Sequence, residues 1–141
     1  LASMLRDAAD ASDAVLTCGG VSAGERDHLP ALLHSEGVVH FWKVRMKPGM
    51  PVLFASLGAS LVLALPGNPV SVLATYLTLG RALLDGLQGR VDPRERWHAR
   101  LSAPFEKRNS RREFLRGRLL PGADGTWMVV RAGRWSPNTR E

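Results

Sequence analysis

An α/β domain followed by a short all-β piece is the fold class this sequence predicts, and three observations predict it. A short apolar run, "AVLT" (residues 14–17), ends at a Gly-rich stretch and leads into a helical pattern, which is the strand–loop–helix unit of an α/β fold. A second and longer helix opens behind "PGNPVS" (66–71), directly after two strand-like runs. Beyond "RVDPRER" (90–96) the helical periodicity stops and only strand-like runs remain. The chain is therefore divided into an α/β domain over 1–89, a linker over 90–96 and a β piece over 97–141.

Each element follows from its residues. Leu1, Met4, Leu5, Ala8, Ala9 and Ser12 recur at helical spacing, giving an amphipathic first helix. "AVLT" reads as a buried strand, and "TCGGVSAGERD" (17–27) after it gathers three glycines, a serine and two carboxylates, suited to a turn or to backbone contact with an anion. In "DHLPALLHSEG" (27–37), Asp27 is a helix cap, Pro30 fits the first turn, Leu29, Leu32 and Leu33 share a face, and Gly37 is the stop.

"VVHFWKVRMKPGMP" (38–51) reads at period two as one strand. His40 and Trp42 then lie on the core face, and Lys43, Arg45 and Lys47 form a row on the other, either a solvated edge or an anion-facing set. "PVLFAS" (51–56) and "LVLAL" (61–65), joined by a Gly-Ala-Ser turn, form a hairpin. Asn68 is an N-cap and Pro69 the first residue of the next helix, with an apolar stripe from Val72 to Leu87 and an end at Gly89. That start reads as a plain capped turn first, and otherwise as an anion site at a helix N-terminus. "WHARLSAPF", "EFLRGRLL" and "TWMVVRA" are three strands, the last two joined by the turn "PGADG" (121–125), with Trp97, Trp127 and Trp135 packing in this β piece.

Composition narrows the class. With 45% hydrophobic and 23% charged residues, 141 residues suffice for one modest core. No apolar stretch is read as reaching the roughly 18 to 20 residues of a membrane span, and the N-terminus lacks the pattern of a signal peptide. Lacking an initiator Met, the chain reads as starting inside a longer protein. The single Cys18 fits a reducing compartment, hence a cytoplasmic location, and is expected as a small packed residue. The four histidines have no zinc-ligand spacing. Residues 1–89 hold six Lys/Arg against seven Asp/Glu, whereas 90–141 hold thirteen against six. The basic half reads as a solvated surface or as a polyanion patch; no nucleic-acid motif accompanies it, so nucleic acid is not the expected partner.

Three segments in order, "GGVSAGERD", "FWKVRMKPGMP" and "LALPGNPVS", resemble the molybdopterin molybdenumtransferases, the family of bacterial MoeA and the catalytic part of gephyrin. "RREFLRG" (111–117) resembles the opening of that family's C-terminal β domain. The first segment is shared in looser form with the adenylyltransferase branch of the wider fold. The resemblance implies a three-layer molybdopterin-binding domain, incomplete at its N-terminal side, and a partial all-β C-terminal domain. It also implies that "RWSPNTRE" stands where the family has a "GSH"-like segment.

The activity so implied takes adenylylated molybdopterin and molybdate, inserts the metal at the dithiolene sulfurs and releases AMP with Mg²⁺ assistance. On the motif positions, Gly19, Gly20 and Ser22 would donate to phosphate or pterin groups. Asp27 would hold Mg²⁺, with Glu25 a weaker candidate. Lys43 and Lys47 would attract molybdate and developing phosphate charge. On one extended strand their Cα atoms would be about 13 Å apart, at roughly 3.3 Å per residue. Pro66, Gly67, Asn68, Pro69 and Ser71 would form the opposite lip, with Ser71 towards molybdate. The implied partners are a second copy of the chain, in a homodimer, and the molybdopterin adenylyltransferase. Two other readings stay open: a catalytically incomplete scaffold that binds molybdopterin or dimerises, and an adenylyltransferase using ATP.

Overall fold

The computed structural model describes residues 1–22, 28–91, 95–122 and 124–132. Asp27, Glu25 and Trp135, together with the tail from Gly133, lie outside the described residues. Two compact units emerge: Leu1–Val91 with Arg111–Glu113, and Asp92–Ser110 with Phe114–Glu141.

In the first unit a four-stranded sheet runs β1 (Ala14–Cys18), β5 (Ser60–Leu65), β4 (Leu53–Leu57), β2 (Val38–Trp42). β1 pairs parallel with β5, while β4 is antiparallel to both β5 and β2. Alternation along the strands builds two faces. Leu53, Ala55, Leu57, Val62 and Ala64 meet Leu5 and Ala9 of α1 (Ala2–Asp10) and Leu29 and Leu33 of α2 (His28–Glu36) in one core. A bidentate pair, Arg6 Nε and Nη2 to Glu36 at 2.6 and 2.7 Å, joins the two helices at the surface.

On the other face lies α3 (Pro69–Thr75), continued by a π-helical turn Tyr76–Gly80 and α4 (Arg81–Leu87). Gly80 approaches β5 so closely that a Cβ there would sit 3.5 Å from Leu63 Cδ2. The result is three layers, helix on sheet on helix. The π turn coincides with Thr75 and Thr78, whose hydroxyls donate 2.7 Å bonds back to the Ser71 and Ala74 carbonyls and compete with the regular ladder. Pro69–Leu87, 19 residues at mean hydropathy 1.2, is long and apolar enough by length and composition to cross a membrane. That corrects the expectation from sequence, in which no stretch reaches that length. In this unit the helix serves as the third layer, although Leu73, Leu77 and Leu87 remain exposed.

Three further expectations change. The run 38–51 is not one strand. A bulge between Val39 and Phe41 leaves His40 without a sheet partner and shifts the face of the residues beyond it. His40 is exposed, its Nε2 2.7 Å from Ser56 Oγ, and is not in the core. At Lys43 the backbone turns to φ +66°, and the chain re-forms only a two-residue strand β3 (Met46–Lys47). The spacing of Lys43 and Lys47 along a continuous strand therefore does not apply. Secondly, β1 is a sheet edge among the described residues, so Leu16 and Cys18 are exposed where a buried strand was expected. Thirdly, β7 (Arg112–Glu113) belongs to the first unit, because it pairs with β3 in parallel register.

The second unit holds a three-stranded sheet in the order β6 (Arg100–Leu101), β9 (Trp127–Arg131), β8 (Gly117–Pro121). The β8–β9 hairpin is closed by Gly122 N–H donating to Thr126 O at 2.7 Å, and Asp124 Oδ1 accepts from Thr126 N and Oγ1. These donors hold the Asp124 carboxyl below its ordinary pKa. Trp97 and Trp127 meet edge to face with centroids 6.0 Å apart, yet both stay exposed, contrary to the packed role expected of them.

Candidate functional site

The sheet topology brings the three motif segments to one end. β1 runs parallel to β5, and β2 and β5 are both antiparallel to β4, so Cys18, Leu65 and Trp42 end their strands on the same edge of the sheet. Loops at the carboxyl ends of strands are where open α/β sheets bind ligands. The three loops here are 19–22, 43–50 and 66–68.

The first loop turns on Gly19 at φ +91° and Gly20 at φ +71°, values at which a side chain is strained. Gly19 N–H donates to Leu65 O at 2.9 Å, so the turn is anchored to the end of β5. A Cβ on Gly67 would lie 3.5 Å from Gly19 Cα, which places the first and third loops in backbone contact. Val21 is buried and Ser22 exposed.

In the second loop Trp42 Nε1–H donates to Val21 O at 3.1 Å, tying the end of β2 to the Gly-rich turn. Lys43 Nζ lies 4.3 Å from the centroid of the same indole, within cation–π range. A lysine at φ +66° is uncommon, and such conformations persist where the surrounding structure dictates them. Here Lys43 N–H donates to Val52 O at 3.0 Å and Val44 N–H to Met50 O at 2.9 Å, closing the loop on itself. The Lys47–Pro48 peptide is cis. Lys47 Nζ sits 2.9 Å from Glu113 Oε1 on β7, with the lysine side chain 54% exposed and the glutamate 10%. Gly49, at φ +105°, lies against Thr75 of α3.

In the third loop Pro66 is buried, while Gly67, Asn68 and Pro69 are exposed. Asn68 caps α3 as its sequence suggests: Oδ1 accepts from Val70 N at 3.0 Å and Ser71 N at 3.3 Å. Asn68 O accepts from Val72 N, and Pro69 has no N–H to give. The first-turn donors are thus engaged by the cap, so an anion at this lip would meet the helix dipole and the Asn68 amide group more than open N–H groups. Ser71 is buried at 9% exposure.

Ten of the eleven predicted site residues are among the described ones, and all ten lie on these loops or at the start of α3. Asp27, the position expected to hold Mg²⁺, lies outside them. Among the described residues no group of three or more His, Cys, Asp or Glu side chains could hold a metal ion. Glu113 is committed to Lys47. The described residues therefore do not by themselves build an Mg²⁺ site. Two features are absent from the sequence-based expectations, Glu113 and the linking role of Trp42. Trp42 carries a signal, an amphipathic ring beside a motif lysine; Glu113 lies within "RREFLRG", but nothing there announces its pairing with Lys47, which joins distant parts of the chain.

Residues 1–86 match the family described as "Probable molybdopterin binding domain". The molybdopterin molybdenumtransferase of Haemophilus influenzae is 41% identical over 108 residues, covering 75% of this chain and 27% of that protein. Molybdopterin molybdenumtransferase 2 of Mycobacterium tuberculosis is 36% identical over 121 residues, covering 81% of this chain and 30% of that protein. The crystal structure of the molybdopterin biosynthesis MoeA protein from Pyrococcus horikosii superposes with a TM-score of 0.71 at 25% identity, over 92% of this chain and 30% of that one. The chain thus spans under a third of the length of these relatives.

Proposed function

This chain belongs to the molybdopterin-binding domain family, with MoeA-like molybdopterin molybdenumtransferases among its relatives, and on that premise we propose that it serves molybdenum insertion in molybdenum cofactor biosynthesis. The substrates are adenylylated molybdopterin and molybdate, and AMP is released. The working unit is a cytoplasmic homodimer that receives its substrate from a molybdopterin adenylyltransferase.

The observation that supports this reading is that the Gly19–Gly20 turn and the loop bearing Lys43 and Lys47 both follow the carboxyl ends of strands that run the same way. Both substrates are anions, and the bond broken is a phosphoanhydride, so catalysis rests on positioning and charge neutralisation. A water oxygen adds to the AMP phosphorus and loses its proton to bulk water, and the bridging P–O bond breaks. AMP leaves with the new oxygen, and the bond's electron pair stays on the molybdopterin phosphate. Gly19 and Gly20 let the main chain approach a phosphate, and Ser22 adds an exposed hydroxyl donor. Lys43 and Lys47 balance the charge of molybdate and of the departing phosphate. Pro66, Gly67, Asn68, Pro69 and Ser71 form the facing wall. Asp27, which precedes α2 in the sequence, would supply carboxylate oxygens of the kind Mg²⁺ prefers.

The test is a calorimetric titration of the full chain with adenylylated molybdopterin, with and without molybdate, followed by an AMP-release assay. Lys43→Ala and Lys47→Ala are each expected to weaken binding at least about tenfold, about 1.4 kcal/mol. A chain that is folded by circular dichroism yet binds neither ligand would refute the site and favour a dimerising scaffold.

A further inference from the structure

Resting on that reading of Lys47 as an anion-binding group, we infer that Glu113 is its positioning residue: a carboxylate delivered by β7 that holds the Lys47 ammonium at the mouth of the site. β3 and β7 are each only two residues long, and their register sets Met46 opposite Arg112 and Lys47 opposite Glu113. Arg112 N–H donates to Arg45 O at 3.0 Å, and Arg111 Nη1 lies 3.8 Å from Met50 Sδ, so β7 is fastened along the whole lysine loop. The two ends of the ion pair differ in freedom. Glu113 is 10% exposed, Lys47 54%. A carboxylate this far from water is costly unless paired, and the Lys47 ammonium supplies it an opposite charge at 2.9 Å. The ammonium has three donors; Glu113 takes one, and the exposure of the lysine leaves room at the others for an incoming oxyanion.

Two effects of Glu113 on an anion oppose each other. Its negative charge repels molybdate. Its fixed carboxylate also confines a long, rotamer-rich side chain to one direction, sparing the ligand that ordering. A swinging surface glutamate would contribute mainly repulsion; one held in a strand and nearly buried contributes confinement, and confinement decides the sign. Removing the charge therefore weakens anion binding. Pure electrostatics predicts the reverse.

The experiment titrates the full chain with sodium molybdate, comparing wild type, Lys47→Ala, Glu113→Gln and Glu113→Asp. It also measures the acylation rate of Lys47 by an N-hydroxysuccinimide ester, read by peptide mass spectrometry without any ligand. Positioning predicts that Glu113→Gln weakens molybdate about fivefold, the scale of turning one charged hydrogen bond into a neutral one. Glu113→Asp, which keeps the charge but loses reach, weakens it too, and Lys47 acylates faster in both. Molybdate binding that is unchanged or tighter in Glu113→Gln, while Lys47→Ala abolishes it, overturns the inference and leaves the site standing. Binding indifferent to Lys47→Ala removes the site and the inference together. If both Glu113 variants fail to fold, the residue belongs to the fold and the positioning role is wrong.

Discussion

Gly49→Ala tests how the lysine loop is held. Gly49 has φ +105°, and an added Cβ would lie 2.5 Å from Thr75 Cγ2 and 3.1 Å from Met46 Cε. The Met46 methyl ends a flexible side chain and can turn away. Thr75 cannot, because it is fully buried and its hydroxyl donates to Ser71 O and Val72 O. Overpacking of this kind costs roughly 1–3 kcal/mol, and a non-glycine residue in a sparse backbone region about 1–3 kcal/mol. The substitution should therefore destabilise the first unit by about 3 kcal/mol. At a urea slope near 2 kcal/mol/M the unfolding midpoint falls by about 1.5 M, with the slope itself unchanged.

Thr75→Ser separates the two causes. It keeps the hydroxyl and removes the obstructing methyl, costing alone about 1 kcal/mol for one buried carbon. On the Gly49→Ala background the same change relieves the clash, so the double variant should be no less stable than Gly49→Ala. That corresponds to a coupling of about 1–2 kcal/mol, seen in a double-mutant cycle by urea denaturation and far-UV circular dichroism. Additivity within about 0.5 kcal/mol would show that the loop does not rest on Thr75 and would refute the packing argument.

Two other outcomes depend on single contacts. Trp42→Phe deletes the donor to Val21 O and leaves a carbonyl short of its partner, costing about 1–3 kcal/mol; faster amide exchange in the Gly-rich turn is the accompanying sign, and an unchanged turn would count against the link. Glu36 has its carboxyl held below the usual range, first by its hydrogen bond from Arg6, which outweighs the opposing effect of desolvation, with the Arg6 charge adding a lesser downward pull. With a depressed folded-state pKa, its contribution is present above the unfolded value and fades as pH falls through the folded one. Arg6→Ala should move the Glu36 titration, followed by carboxyl ¹³C NMR, back up towards the ordinary range; an unmoved midpoint would mean the pair is not kept in solution.

The parts of this fold legible in the sequence are those governed by neighbours along the chain. An apolar run ending in two glycines specifies strand and turn, because positive φ is demanded where few other residues accept it. Asn-Pro before an apolar stripe specifies a capped helix, and Asn68 does accept from Val70 and Ser71. What stayed hidden depends on pairing. Counting by twos through 38–47 assumes no inserted residue, and the bulge at His40 breaks that count. Nothing about a lysine announces a left-handed conformation at position 43; it is imposed by the loop's bonds to Val52 and Met50. The exposure of Leu16 follows from β1 lying at an edge, a property of strand order and not of composition. For the site, motif spacing names the loops, while the contacts that set their positions join residues far apart in the chain, such as Trp42 with Val21 and Lys47 with Glu113.

Those contacts make the edge act as one structure. The Gly-rich turn is bonded to the end of β5 through Gly19 and to Trp42 through Val21. The lysine loop rests on α3 through Gly49 and Thr75, and α3 begins at the Asn68 cap. A shift in any one loop therefore strains a contact of the other two. Preorganisation of this kind matters most for anionic ligands, whose binding otherwise has to order long cationic side chains. On the proposed reading, Lys43 would meet that need by lying over the Trp42 ring, and Lys47 by its pair with Glu113. The two devices differ in salt response: an ion pair at a half-exposed lysine is screened by added salt more than a ring contact is. Raising ionic strength should therefore release Lys47 before Lys43, and the ratio of the Lys47 to the Lys43 acylation rate should climb with salt. A constant ratio would mean that both lysines are held by the same kind of force.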